Sequence, residues 1–346
     1  MPVSQALSPN TPVRWGILGT GSIAKQFARG LVSAPADAQL VAVGSRTAAA
    51  ADAFAKEYPC RAHGSYAALC ADPNVDAIYV ASPHTSHREH ALLAIANGKA
   101  VLVEKPFCVN ASQTAEVIAA ARTAGVFCLE AMWSRFLPTQ RQAAAWLETK
   151  AIGEVRLVTA DFGFRCGWDP ASRLLDPQLA GGALLDVGIY TVALAALALR
   201  GAPTSIRATA VLGATGVDEQ LGMTLGWANG SLANLTCAVR TSTKHDAVIY
   251  GTEGRIELPD FWHGTTATLH QDGKPAQTLQ LPFVGNGYTH EAIEVSRCLR
   301  AGLRESPIVP LDESLRLMQV LDECRRQVGL VYPCELPISH RAAAKA

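Results

Sequence analysis

A chain of 346 residues is longer than the roughly 250 to 300 at which single hydrophobic cores stop growing, so two domains are expected. Thirty Lys and Arg balance thirty Asp and Glu, which argues against a polyanion-binding surface and against nucleic acid as a partner. A small neutral or weakly charged substrate fits better. Nine cysteines with no C-x-x-C pair argue against a disulfide framework and a thiolate metal site. No apolar run is expected to reach the about 18 residues that span a bilayer, the nearest candidate being 187–199, interrupted by Gly188 and Tyr190. The first residues have neither a cationic start nor an apolar stretch, so a cytoplasmic chain with no membrane partner is expected, with loose tails at 1–11 and 336–346.

From Val13 to Glu130 short apolar runs alternate with amphipathic stretches, the pattern of βαβ units building a parallel sheet. This predicts a Rossmann dinucleotide-binding domain over 12–131, with strands at 13–18, 39–44, 76–81, 100–104 and 126–130. The first strand runs into Gly19-Thr20-Gly21-Ser22-Ile23-Ala24, which opens a helix continuing through Phe27 and Leu31. In that place the run reads as a phosphate loop: Gly19 permits the turn, and Gly21 lets backbone approach a pyrophosphate. Ser22 and Ile23 start the helix whose free N–H groups face the phosphates, and Ala24 still allows close helix-to-strand packing. The second strand ends Gly44-Ser45-Arg46-Thr47. A carboxylate there would bind the ribose hydroxyls of NAD, whereas Ser45, Arg46 and Thr47 offer hydroxyls and a guanidinium to a 2′-phosphate. NADP is favoured, with NAD as the alternative.

Two more strands end in polar groups at the sheet's carboxyl edge, where open α/β sheets bind ligands. One gives Ser82-Pro83-His84 and, beyond it, His87; the other gives Glu104-Lys105-Pro106, with the lysine held extended by the proline. Ser82, Pro83, His87, Glu104 and Lys105 are assigned to the nicotinamide end. His84, His87 and His90 have a spacing that could suggest a metal, but they pass from loop into helix and no carboxylate completes a site. No metal is expected, and His87 is assigned to the wall of the nicotinamide pocket.

After Met132 the pattern changes, and a second domain is expected over 132–335. A helix is predicted at 140–150, strands from about 154, an Ala-rich helix at 183–199, a strand pair within 221–239 broken by Ala228-Asn229-Gly230, and helices at 290–303 and 312–328. Asn-Gly between strand-like runs is a strong hairpin signal. The fold class is therefore α/β, a Rossmann parallel sheet followed by an α/β domain with a large, mainly antiparallel sheet. Helices on one side of that sheet leave an open face that two copies are expected to bury as a homodimer. Within the Ala-rich helix, Asp186 and Tyr190 are expected at i and i+4 on one face among apolar neighbours, a costly burial unless it serves a purpose. Arg135 and Arg165 can bind a substrate carboxylate or sit in surface pairs, and Trp133 and Trp168 can be pocket wall or core.

The glycine loop, Glu104-Lys105-Pro106 and the Gly-Gly-x-Leu-x-Asp-x-Gly-x-Tyr segment, in this order over about 13–333, resemble the glucose–fructose oxidoreductase / inositol dehydrogenase / rhizopine catabolism (Gfo/Idh/MocA) family. Glu130-Ala131-Met132-Trp133-Ser134-Arg135-Phe136, with Tyr190 where many members carry histidine, resembles the branch holding dimeric dihydrodiol dehydrogenases and NADP-dependent xylose dehydrogenases. The resemblance implies Lys105, Asp186 and Tyr190 as catalytic residues, Trp133, Phe162 and Tyr288, with Arg135, on the substrate side, and pairing of subunits through the open sheet. It implies an NADP-dependent oxidoreductase that moves hydride between nicotinamide and a carbinol or carbonyl carbon of a sugar or cyclic diol. A tyrosine near pKa 10 needs help to act as a base, and a nearby ammonium lowers it by about one to three units. Tyr190 is then proton donor and acceptor, Lys105 the tuning charge and Asp186 the orienting acceptor; alternatively Lys105 itself transfers the proton. A glycosidase with transient oxidation, an oxidoreductase with permanently bound cofactor and a non-catalytic dinucleotide sensor are the other readings.

Overall fold

The computed structural model describes residues 11–336. Its elements run β1 (Val13–Leu18), α1 (Ser22–Val32), β2 (Ala38–Gly44), α2 (Ala48–Glu57), β3 (Arg61–His63), α3 (Tyr66–Cys70), β4 (Ala77–Val80), α4 (His87–Ala96), β5 (Ala100–Glu104), α5 (Ala111–Ala124) and β6 (Cys128–Ala131). There follow α6 (Pro138–Glu148), β7 (Val155–Gly163), α7 (Ile189–Leu199), β8 (Ser205–Leu212), β9 (Asp218–Gly226) and β10 (Leu232–Ala238). The series closes with β11 (Ala247–Gly251), β12 (Gly254–Leu258), β13 (Thr266–Gln271), β14 (Gln277–Gln280), α8 (Thr289–Arg300) and α9 (Leu311–Val328). The described chain divides into two compact units, 11–136 with 283–315, and 137–282 with 316–336. The expected boundary placed everything after 132 in the second domain; instead 283–315, with α8, returns to the first unit. The expected tails lie outside the described residues except for Thr11 and Leu336.

The first unit is built on six parallel strands in the order β3-β2-β1-β4-β5-β6. The order of the strands reverses between β1 and β4, the switch point where such sheets bind ligands. The inner strands are mostly apolar because both faces are covered. Trp15, Ile17, Tyr79 and Leu102 pack on one side with Phe27 and Leu31 of α1 and with Val295 and Leu299 of α8. Ile78, Val80, Val101 and Val103 pack on the other with Leu69, Ile95, Val117 and Ile118. β3 was not anticipated, since Arg61-Ala62-His63 is short and polar.

The second unit holds an eight-stranded sheet in the order β14-β13-β12-β11-β7-β10-β9-β8, antiparallel except for β7 beside β10. β9 and β10 form the expected hairpin, closed where Trp227 N–H donates to the Ser231 carbonyl at 2.9 Å. Alternation separates the two faces: Leu221, Met223, Leu225, Ala233, Leu235 and Cys237 are buried, while Thr224, Asn234 and Thr236 are exposed. Thr224 donates to Asn234 across that outer face at 3.0 Å. The segment Pro177–Leu199 is long and apolar enough by composition to cross a membrane, contrary to expectation. Its most apolar stretch is 78% buried inside the structure, the place of a core helix.

Candidate active site

In the first unit, the loop after β1 brings the backbone close to the neighbouring strand. Gly19 has φ +114°, and a Cβ on it would stand 2.8 Å from the Ala81 carbonyl oxygen. A Cβ on Gly21 would meet nothing within 4 Å, so backbone at the start of α1 is open to a ligand that approaches closely. Ala24 is fully buried, as its packing role requires. Ser22 is exposed and Ile23 partly so at the helix N-terminus. These residues fit a pyrophosphate, whose charge the helix N-terminus and its free N–H groups favour.

At the end of β2, Ser45 is buried and its N–H donates to the His63 carbonyl at 3.1 Å, while Arg46 is exposed. Thr47 caps α2, its hydroxyl accepting the Ala50 N–H at 3.3 Å. No carboxylate occupies 44–47.

The ends of β4 and β5 are tied together from inside. His87 is fully buried, its Nδ1 2.8 Å from the Pro106 carbonyl oxygen and its Nε2 2.8 Å from that of Ser82. Burial pushes the ring down to about 4, so it is neutral at ordinary pH and donates to one carbonyl at a time. Both ring nitrogens of His87 thus face the backbone of the two loops. His90 points to the Ser82 hydroxyl at 2.9 Å, so the histidine series does not converge on one point. Pro83 precedes a short helical turn at His84–Ser86. Glu104 is buried, accepting from the Tyr79 hydroxyl and, at 3.1 Å, from the Lys105 N–H. Lys105 itself is half-buried, before a cis peptide bond to Pro106. Glu130 and Glu291 are fully buried in the same unit. Burial pushes Glu130 up to about 7, and burial together with Glu104 holds Glu291 well above the carboxylate range.

Beyond β6, Trp133 is buried and stacks on Tyr288 with ring centroids 4.4 Å apart and planes 17° from parallel. Two of the three aromatic residues expected on the substrate side thus come together although 155 positions separate them. Arg135 is engaged within the first unit. Its guanidinium is buried, donating to Glu313 and, at 3.2 Å, to the Ile308 carbonyl, so it secures the returning segment 283–315.

In the second unit, the helix expected at 183–199 begins with a widened turn of π type over Leu184–Gly188 before α7. Such turns recur at functional sites. Asp186 lies in it, 4% exposed, and accepts from Arg173 at 2.9 Å. Tyr190, 5% exposed, follows at the start of α7 and faces Phe162 of β7, with ring centroids 5.4 Å apart. Phe162 in turn stacks on Trp262 at 4.7 Å and packs against His245 at 4.9 Å. His245 Nε2 donates to the Gly163 carbonyl at 2.6 Å and its Nδ1 accepts from Trp262 Nε1 at 3.4 Å, an arrangement that selects the Nε2–H tautomer. Sequence inspection missed Arg173, His245 and Trp262. The run Phe261-Trp262-His263 was the available signal, an aromatic cluster in a loop. Trp168 is 52% exposed beneath the Arg240 guanidinium, and Arg165 is exposed, so neither joins the aromatic cluster.

Comparison with known proteins joins these two halves to one lineage. Residues 13–132 match the model of an oxidoreductase family with an NAD-binding Rossmann fold, and 140–257 match the GFO/IDH/MocA C-terminal domain. The chain belongs to the Gfo/Idh/MocA oxidoreductase family. Among its Gfo/Idh/MocA relatives, trans-1,2-dihydrobenzene-1,2-diol dehydrogenase from Xenopus tropicalis is 38% identical over 329 residues, covering 92% of this chain and 99% of that protein. The aldose-aldose oxidoreductase from Caulobacter crescentus, solved with glycerol, is 25% identical with a TM-score of 0.84 over 92% of this chain and 98% of its own. A 3-ketoreductase from Actinomadura kijaniata, solved with NADP and TDP-benzene, is 27% identical with a TM-score of 0.79 and the same two coverages. The chain is therefore an enzyme with a nicotinamide-dinucleotide fold, a Rossmann parallel sheet and a mostly antiparallel second sheet.

Proposed function

We propose that this oxidoreductase is an NADP-dependent dehydrogenase acting on a CH–OH group of a cyclic diol or a sugar. The observation that carries the proposal is the Tyr190 phenol set against the stacked Phe162 and Trp262 rings, on the helical segment that also buries Asp186. Flat aromatic faces take the apolar side of a cyclic diol or a pyranose, while a phenol and a carboxylate address its hydroxyls. Relatives named as dihydrodiol dehydrogenases and a structural neighbour named as an aldose oxidoreductase point to the same substrate classes. NADP is favoured by the exposed guanidinium of Arg46 and the absence of a carboxylate at 44–47, and the 3-ketoreductase neighbour was solved with NADP.

Gly19, Gly21, Ser22 and Ile23 would hold the pyrophosphate, Ser45 and Arg46 the adenosine end, and Ser82, Pro83, Glu104 and Lys105 the nicotinamide end. When bound, the dinucleotide takes or supplies hydride. Tyr190 gives and takes the proton of the substrate hydroxyl, Lys105 supplies positive charge for the reacting oxygen, and Asp186, steadied by Arg173, accepts a hydrogen bond from a substrate hydroxyl. Trp133 and Tyr288 complete the substrate wall. A homodimer through the outer face of the eight-stranded sheet is part of the same proposal, supported by the exposed Val211, Leu232 and Tyr250, and a cytoplasmic setting by free cysteines throughout the described residues.

The deciding experiment offers aldoses, anhydrosugars and cyclic diols to the purified enzyme with NADP and with NAD, and follows formation of the reduced nucleotide. Turnover with NADP preferred is expected. No reduction of either nucleotide by any of these substrates would end the proposal. Tyr190→Phe is expected to lose about a hundredfold or more in kcat, within the range of general acid–base catalysis. If Tyr190→Phe turns over nearly as wild type while Lys105→Met is dead, the proton belongs to Lys105.

A further inference from the structure

Asp218 opens β9 fully buried, and its surroundings show what it holds. Its Oδ2 accepts the Leu184 N–H at 2.7 Å, and the Ala183 amide adds to that pull. Its Oδ1 lies so close to the preceding turn that a Cβ on Gly182 would stand 2.0 Å from it, and Gly182 sits at φ +113°. Position 182 therefore accepts glycine alone without a shift of the backbone or the carboxyl. From the other side the Tyr332 hydroxyl donates to the Gly181 carbonyl at 2.8 Å. The Gly181–Gly182 turn, whose own N–H groups donate to the Asp176 and Leu174 carbonyls at 3.1 and 2.9 Å, leads directly into the widened turn with Asp186 and on to Tyr190. Unpaired N–H groups at the start of a helical segment favour an anion, and here the anion arrives from a different strand.

We propose that Asp218 is a positioning residue for the reaction: as an anion it caps the helical segment that carries Asp186 and Tyr190 and sets where both side chains stand. The proposal rests on the roles given above to Asp186 and Tyr190. Asp218 touches no reacting atom; it acts through the Ala183 and Leu184 amides that follow the Gly181–Gly182 turn. The other groups facing its carboxyl are Arg325 and Cys324 of α9, Cys237 of β10 and the Tyr332 phenol. Arg325 shares its charge with Asp322 and Glu335, so it neutralises Asp218 in part. Burial pushes Asp218 up to about 7, against the pull of the amides and of Arg325. A folded carboxyl raised to that value is an anion above it and loses its charge as pH falls through it. The cap thus weakens on the acid side of neutrality.

The test is the pH profile of kcat in wild type and in Asp218→Asn, a neutral side chain of the same size. Wild type is expected to lose activity as pH falls through about 7, and Asp218→Asn to show about tenfold lower kcat with no such limb between about pH 6 and 8. Dinucleotide affinity, measured by direct binding, is expected to stay within about twofold, since Asp218 lies outside the unit that binds it. Glu130 titrates in the same range, so Glu130→Gln is run beside it and is expected to keep the limb. Hydrogen exchange over 181–190 supplies a readout that needs no turnover: faster exchange in Asp218→Asn supports the cap even if the substrate proposal fails. Should Asp218→Asn not fold, Tyr332→Phe releases the same turn from the other side and is expected to lower kcat severalfold while keeping the limb. Wild-type kcat, pH limb and exchange in Asp218→Asn would overturn the inference, as would unchanged kcat and unchanged exchange in a folded Tyr332→Phe.

Discussion

Arg135→Met separates a structural guanidinium from a substrate-binding one. The side chain is 4% exposed and its partner Glu313 14%, so neither charge has much water to return to. Methionine keeps the apolar stem and removes the charge, leaving the Glu313 carboxylate without its cation in a largely dry place. Breaking a buried pair from one side costs about 3 to 5 kcal/mol, mostly for the stranded charge. With about 2 to 4 °C for each kcal/mol in a domain of 150 to 250 residues, the first unit is expected to melt roughly 6 to 20 °C lower. Replacing both partners, Arg135→Met with Glu313→Leu, is expected to recover most of the loss, because no charge is left behind. Thermal unfolding by circular dichroism reads the stability, and KM for the substrate is measured in parallel. An unchanged melting temperature with a raised KM would refute the structural role and return Arg135 to the substrate.

Arg46→Ala is expected to lower kcat/KM for NADP by about 10- to 100-fold, the value of one charge-assisted contact, and to leave NAD nearly untouched. Equal losses with both nucleotides would show that Arg46 does not face a 2′-phosphate. Glu130→Gln tests a buried acid against pH. The folded carboxyl sits at about 7, above its value in the unfolded chain, so the stability it contributes is full below about 4.5 and is lost as pH rises through 7. The Phe107 N–H, 2.9 Å from Glu130 Oε1, can be accepted equally by the glutamine carbonyl. The variant should therefore gain on wild type between about pH 4.5 and 7, by up to about 3 kcal/mol, and hold that gain above 7. Denaturant unfolding across that range checks it, and a constant difference would place the raised carboxyl elsewhere.

The first unit was legible because its signals are local. A strand, a glycine loop and a helix follow one another within about twenty residues, and each inner strand is mostly apolar because two layers of helices cover it. What stayed hidden there depended on distance along the chain. β3 has too few residues for any periodicity to show. The return of 283–315 could not be read, because Val295 and Leu299 look the same whichever core they enter. His87 and Arg135 are polar residues at the right strand ends, but whether such a side chain faces a crevice or the interior depends on its partner. The Pro106 carbonyl is 19 positions from His87, and Glu313 is 178 from Arg135.

The second unit inverts that balance. Asp186 and Tyr190 stood out in the sequence for what they cost, a carboxylate and a phenol in an apolar helix. The groups that meet the cost come from other segments: Arg173 from an irregular loop, Phe162 from β7, Trp262 from the loop after β12. The geometry of the pair is further set by a turn wider than the regular helix assumed from i, i+4 spacing, and that turn begins where Asp218 of β9 meets Gly182. A helix this apolar would fold on the sheet in several registers at similar energy if packing alone decided. The polar contacts at its N-terminal end single out one, so the residues that specify the fold here are also those that, under the proposed function, aim Asp186 and Tyr190.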